Sequence, residues 1–116
     1  MDKKKVIQTS DIEIKIGMNE EKMPVRIDWD ASDNPNGRQA AKAMLLAFFD
    51  EATKDTFKID LWTTEMQVME MDRFFFQSLR AMADTYYKAT QNAEMATAMR
   101  QFVHFFGEKT GIIKPG

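Results

Sequence analysis

Three short runs in which apolar and polar residues alternate constrain this chain more than any other feature. Ile12, Ile14 and Ile16 fall on one side of an extended backbone, with Glu13 and Lys15 on the other, the pattern of a strand buried on one face. Past Gly17-Met18-Asn19, Val25, Ile27 and Trp29 repeat it, with Arg26, Asp28 and Asp30 opposite. Pro24 stands at the start of this run, because proline cannot donate to a ladder. The two runs predict an antiparallel hairpin with a long turn. Phe57, Ile59 and Leu61, against Lys58 and Asp60, predict a third strand.

Between the second and third runs, Ser32-Asp33-Asn34-Pro35-Asn36-Gly37 has the chemistry of a loop. After it, Ala41, Met44, Leu45, Phe48 and Phe49 recur at three- and four-residue spacing and predict a first helix. A second helix has its start signal at Thr64, with Gln67 three residues on as a capping partner. Its stripe is Val68, Met71, Phe75, Leu79, Met82 and Tyr86. A third helix, capped by Asn92, turns Met95, Met99, Phe102, Val103 and Phe106 inward, and Gly111 and Pro115 end it. The expected order is ββαβαα, an α+β fold in which a small antiparallel three-stranded sheet is covered on one face by three helices. With no repeat or linker visible, residues 1–116 read as one domain whose ends, 1–10 and 112–116, fray.

For 116 residues, surface scaling gives about 6,500 Å² exposed when folded, against about 19,400 Å² unfolded, so roughly two-thirds of the surface is expected to be buried. Residues 1–58 carry 10 Lys/Arg and 11 Asp/Glu, and residues 59–116 carry 6 and 7. Neither half is an electropositive surface, so nucleic acid is not an expected partner. The absence of cysteine removes thiolate chemistry and fits a reducing compartment. The basic N-terminus has no apolar segment behind it and no run reaches the length of a membrane span. The expected address is cytoplasmic, without direct membrane insertion.

No motif for catalysis stands out. Asp28 and Asp30 share a strand face and lead into a polar turn, but an EF-hand alignment on Gly37 puts Ala43 where a bidentate Glu is needed, so no metal is assigned. His104, the single histidine, has Glu108 one turn on as an ion-pair partner and no second imidazole with which to bind zinc. No phosphate-cradling glycine motif or nucleophile elbow is present. The chain is therefore expected not to be an enzyme and to need no cofactor. An alternative reading is a small-ligand domain or enzyme whose pocket, between sheet and helices, gathers Asp28, Asp30, Asp60 and His104.

Nine Phe, two Trp, two Tyr and ten Met exceed what one-sided elements use. Trp62 falls on the strand face of Lys58 and Asp60, and Met69, Phe76, Ala83 and Tyr87 lie on a flank of the second helix apart from its main stripe. A helix over 66–89 is roughly 35 Å long, and strands of five to seven residues span only ~17–24 Å, so one end overhangs. Two explanations stand: the third helix wraps the flank, or Trp62, Met69, Phe76 and Tyr87 form a protein-binding surface, with a homodimer the simplest partner.

The run Ile27-Asp28-Trp29, then 41–46 (AKAMLL) and 59–63 (IDLWT), resembles the gliding motility-associated protein GldC family. Met82-Ala83-Asp84-Thr85, 96–100 (ATAMR) and 105–109 (FFGEK) are similar to that family's helical half, so the likeness runs in order from about Ile12 to Ile112. The resemblance implies a small accessory protein of the gliding or cell-envelope machinery, without catalytic residues to transfer.

Overall fold

The structure, a computed structural model, describes residues 3–114. Their order is β1 (Ile12–Met18), β2 (Pro24–Ala31), β3 (Gln39–Ala41), β4 (Ala43–Phe49), β5 (Thr56–Trp62), α1 (Val68–Thr90) and α2 (Ala93–Thr110). They form two compact units that divide between Met66 and Gln67, one of strands and one of helices.

In the strand unit, β1 and β2 pair antiparallel as the alternation predicts, placing Ile14 opposite Trp29 and Ile16 opposite Ile27. Residues directly opposite share a face, so one side of this sheet is apolar while Glu13, Lys15, Asp28 and Asp30 take the other. β3 joins on the far side of β2 with Ala41 opposite Ile27, and Ile27, between two neighbours, is fully buried. The turn after β1 is organised by Asn19, whose Oδ1 accepts from the Glu21 and Met23 N–H groups. In the second loop Asn34 Oδ1 accepts from the Asn36 N–H, and Gly37 takes a φ of 70°.

The chain steps to a second sheet at Lys42. β4 pairs with β5 in a two-stranded ribbon, Met44 opposite Leu61, Leu46 opposite Ile59 and Phe48 opposite Phe57. Asp50 builds the turn: its carboxylate accepts from the Ala52 and Thr53 N–H groups, and its carbonyl from Lys54. At the base of the ribbon the Thr63 N–H donates to the Lys42 carbonyl at 2.7 Å and the Thr64 N–H to that of Pro24 at 3.1 Å.

This corrects the expected architecture. The described residues hold two helices, and their five strands lie in sheets of three and two, rather than three helices over a single three-stranded sheet. The segment expected as a first helix is β3 and β4. A helix confined to 41–49 is too short to be stable without strong packing, and it would leave Phe57, Ile59 and Leu61 without a strand to pair. As β4 the same residues satisfy a ladder along their whole length. β5 accordingly pairs with β4 and not with the first hairpin.

In the helical unit the capping signals lie close to where the residues place them. The Gln67 N–H donates to Glu70 Oε1 across the first turn of α1, three residues beyond Thr64. The Asn92 side chain caps α2 by accepting from the Met95 N–H at 3.0 Å, and Gly111 closes it at a φ of 82°. Pro115 lies outside the described residues. Two residues, Gln91 in the left-handed conformation and Asn92, turn the chain back on itself, so α1 and α2 form an antiparallel hairpin.

The seam between them departs from the expected stripes. Buried there are Phe76 and Ala83 of α1 with Ala96, Val103 and Gly107 of α2. Three of the five are Ala or Gly, which lets the helix axes approach closely. A Cβ built on Gly107 would stand 2.6 Å from Ile113 Cδ1 and 2.7 Å from Phe76 Cε1. Ile113 is held over that glycine by its N–H, which donates to the Gly107 carbonyl at 2.9 Å. Residues 112–113 are thus half-buried within the helical unit. Val68, Phe75, Met82, Met95 and Phe102, expected inside, are all exposed.

Candidate functional site

The chain exposes 9823 Å². Scaling gives about 7,800 Å² even for two separate compact bodies of these sizes, and only about half of the unfolded chain's surface is buried, not two-thirds. Among the exposed large apolar side chains, two groups share a face, one in each unit.

In the strand unit the face is that of the ribbon. Met44, Leu46 and Phe48 of β4 share a face with Leu61, Ile59 and Phe57 of β5. Exposure increases along it toward the turn: Met44 and Leu61 are half-buried, whereas Phe48 and Phe57, directly opposite each other, keep 57% and 59% of their surface. β4 is apolar on its other side as well, through Leu45, Ala47 and Phe49.

In the helical unit the two sides of the seam differ. At about 100° per residue, Arg80 and Asp84 of α1 and Arg100 and His104 of α2 fall on one side. They rim a groove of about 380 Å³ floored by Phe76, Val103 and Ile113. Its charges are matched within the unit: Arg100 bonds Asp84 at 3.1 Å and stacks over Tyr87, His104 Nε2 meets Glu108 Oε1 at 2.7 Å, and the Arg80 guanidinium lies over the Phe76 ring. The opposite side is apolar but for half-buried Asp72 beside Leu79, carrying Val68, Phe75, Met82, Met95 and Phe102 among half-buried Met71, Leu79, Tyr86, Met99 and Phe106. On α2 the Phe102 ring lies 6.2 Å from Phe105 and 6.3 Å from Phe106.

Of the four residues expected to bind a partner, Trp62 belongs to the strand unit and Met69, Phe76 and Tyr87 to the helical unit. Trp62 and Met69 are 59% and 79% exposed. Tyr87 is partly covered by Arg100. Phe76 is 7% exposed and belongs to the helix seam, so it offers no surface for docking. Met69 and Tyr87 stand about 27 Å apart along α1. Phe48, Phe57, Met82 and Phe102, expected in a core, are among the residues the structure leaves open. The paucity of Ala and Gly in the expected stripes is the signal that would have found them, since a two-helix hairpin packs closest through its smallest residues.

The polar groups of the alternative pocket are each engaged locally. Asp28 takes Arg26 at 2.7 Å, Asp60 takes Lys58 at 3.1 Å, and Asp30 accepts from the Ala31 N–H. A shallow acidic recess of about 240 Å³ lies beside Asp11, Glu13 and Asp30. The Glu13 carboxyl is held below the usual carboxylate range, chiefly by its hydrogen bond from Arg38 and then by nearby Lys15. Among the described residues no group of three or more His, Asp or Glu side chains is placed to hold a metal ion, and no helix is long and apolar enough to cross a membrane.

Neither a curated protein nor a solved structure matches the chain. A family model does: that of the gliding motility-associated protein GldC-like family matches residues 24–112, from the start of β2 to just past α2. The likeness carried by the IDW, IDLWT and Ala/Met-rich helix segments thus extends over most of the chain, and the chain belongs to the GldC-like family of gliding motility-associated proteins.

Proposed function

We propose that this protein is a non-catalytic accessory component of the gliding or cell-envelope machinery, and that it works by binding another protein through the β4–β5 ribbon. The observation that carries this reading is the Phe48–Phe57 pair, two large aromatic side chains opposite each other at the outer end of an apolar ribbon face. Large exposed apolar patches mark contact surfaces, and aromatic anchors contribute most of the energy in them. An isolated two-stranded ribbon is marginal in water, so a partner that covers this face also stabilises it. The dispersal of Asp28, Asp30, Asp60 and His104 into separate ion pairs and hydrogen bonds favours binding over chemistry.

The test replaces the chromosomal copy in a gliding bacterium with Phe48→Thr/Phe57→Thr, which keeps β-propensity and removes the aromatic surface. The expected result is loss of colony spreading at unchanged protein level and unchanged far-ultraviolet circular dichroism. Normal spreading in that strain and in a Trp62→Ser strain would overturn the proposal.

A further inference from the structure

On the premise that this protein works by binding, we infer that the apolar side of its helical hairpin is occupied by a second copy of the chain, the two hairpins closing into a four-helix bundle. The first ground is the spacing. Val68, Phe75 and Met82 recur every seven residues on α1, and Met95 and Phe102 do so on α2, the repeat by which helices interdigitate at small crossing angles. These residues do not form the seam within the hairpin, which uses Phe76, Ala83, Ala96, Val103 and Gly107. The repeat therefore has no partner within the helical unit.

Area is the second ground. The five side chains keep between 39% and 79% of their surface; at about 200 Å² for a large side chain, that is about 550 Å² per copy. Two such faces bring about 1,100 Å² together, and the half-buried Met71, Leu79, Tyr86, Met99 and Phe106 raise the total into the range of about 1,200–2,000 Å² of a stable dimer.

The third ground is charge. Between Val68 and Ala89 the single charged residue on this side of α1 is Asp72, one heptad before Leu79, and on α2 the first is Lys109 near its end. A face with so little charge suits another of the same kind, and a two-fold axis brings the same face of a second copy against it, with Asp72 near the end of the hairpin. An anionic lipid surface is a poorer fit, because membrane-surface helices carry an excess of Lys and Arg on their polar side. Here Arg100 and His104 are matched by Asp84 and Glu108.

Sedimentation equilibrium on the full chain, up to about 100 µM, reads the outcome directly. The expected mass is twice that of one chain, and Met82→Glu and Phe102→Glu weaken association more than a hundredfold while helical circular dichroism is kept. The absence of native cysteine allows a second readout that does not depend on the charge variants folding. Met82→Cys is expected to cross-link with a short bismaleimide, and Gln77→Cys, on the charged side, is not. A wild-type chain that sediments as a monomer throughout, or equal cross-linking at both positions, overturns the inference. Loss of spreading on ribbon substitution in a chain that sediments as a monomer would sink the dimer and leave the binding role standing. A dimer whose ribbon substitutions leave spreading intact would do the reverse.

Discussion

Phe76 of α1 rests directly over Gly107 of α2, so closely that the ring edge occupies the place a glycine-to-alanine methyl would need. The contact explains why a phenylalanine flanked by Phe74 and Phe75 is the buried one of the three. Phe76→Ala is expected to cost about 3–4 kcal/mol, the usual penalty for emptying an aromatic site. Met69→Ala, two turns earlier on nearly the same azimuth but exposed, is expected to change stability by under about 0.5 kcal/mol. Gly107→Ala gains about 1 kcal/mol in helix propensity and meets an overpacking penalty of about 1–3 kcal/mol, for a net loss of up to about 2 kcal/mol and no gain. Urea denaturation of the three variants checks all of these.

The start of α2 is capped by one side chain. Asn92 Oδ1 accepts from the Met95 N–H, and Asn92→Ala is expected to lower stability by about 1 kcal/mol. Asn92→Ser, which keeps an acceptor, should restore most of it. Hydrogen exchange at the first turn of α2 localises the effect: the Met95 amide loses protection while that of Val103 keeps it.

Lys54 in the β4–β5 turn holds a φ of 61°, a left-handed conformation that strains any residue with a Cβ. Lys54→Gly is expected to be neutral or stabilising by up to about 0.5 kcal/mol, and Lys54→Ile to destabilise by more than about 1 kcal/mol. Thermal midpoints of the two variants should bracket the wild type.

Acid should loosen the strand unit through two carboxylates. Glu13 is held below the ordinary range chiefly by Arg38, and Asp50 by the Thr53 N–H and then its hydroxyl. A carboxyl depressed in the folded state adds stability that is present above its unfolded value and lost as pH falls through the folded one. The unfolded values are near 4.5 and 3.8, so the thermal midpoint should decline from about pH 5 downward. Glu13→Gln/Asp50→Asn should flatten that decline. Both groups are exposed, so the effect is small and weakens with salt.

Much of this was written locally in the chain. The β1–β2 hairpin follows from the alternation of Ile12 to Ile16 with Val25 to Trp29, because one face of that pair is apolar. The ends of α2 follow from Asn92 and Gly111, whose chemistry acts within a turn. The segment 41–49 is different, since Ala41, Met44, Leu45, Phe48 and Phe49 fit helical spacing as well as a strand apolar on both sides. Only the pairing of Phe48 with Phe57 decides it, and pairing is not local. The helix seam is legible in part: Phe76 and Ala83 lie on the flank that a wrapping helix explains and Val103 on the inward stripe of α2, whereas the larger Val68, Phe75, Met82, Met95 and Phe102 stay exposed because close approach selects Ala83, Ala96 and Gly107.

The composition of β4 bears on how the chain survives its own synthesis. AMLLAFF is seven residues without a charge, a glycine or a proline, the kind of window that nucleates cross-β aggregates when it emerges unpaired. Lys42 and Asp50 bracket it as gatekeepers, and β5 follows after only the six residues of the turn. So short a loop lets the ribbon close within about 1–10 µs, well before a neighbouring nascent chain can be recruited. Lengthening that loop, with every contact of the finished ribbon intact, would be expected to send the protein into inclusion bodies.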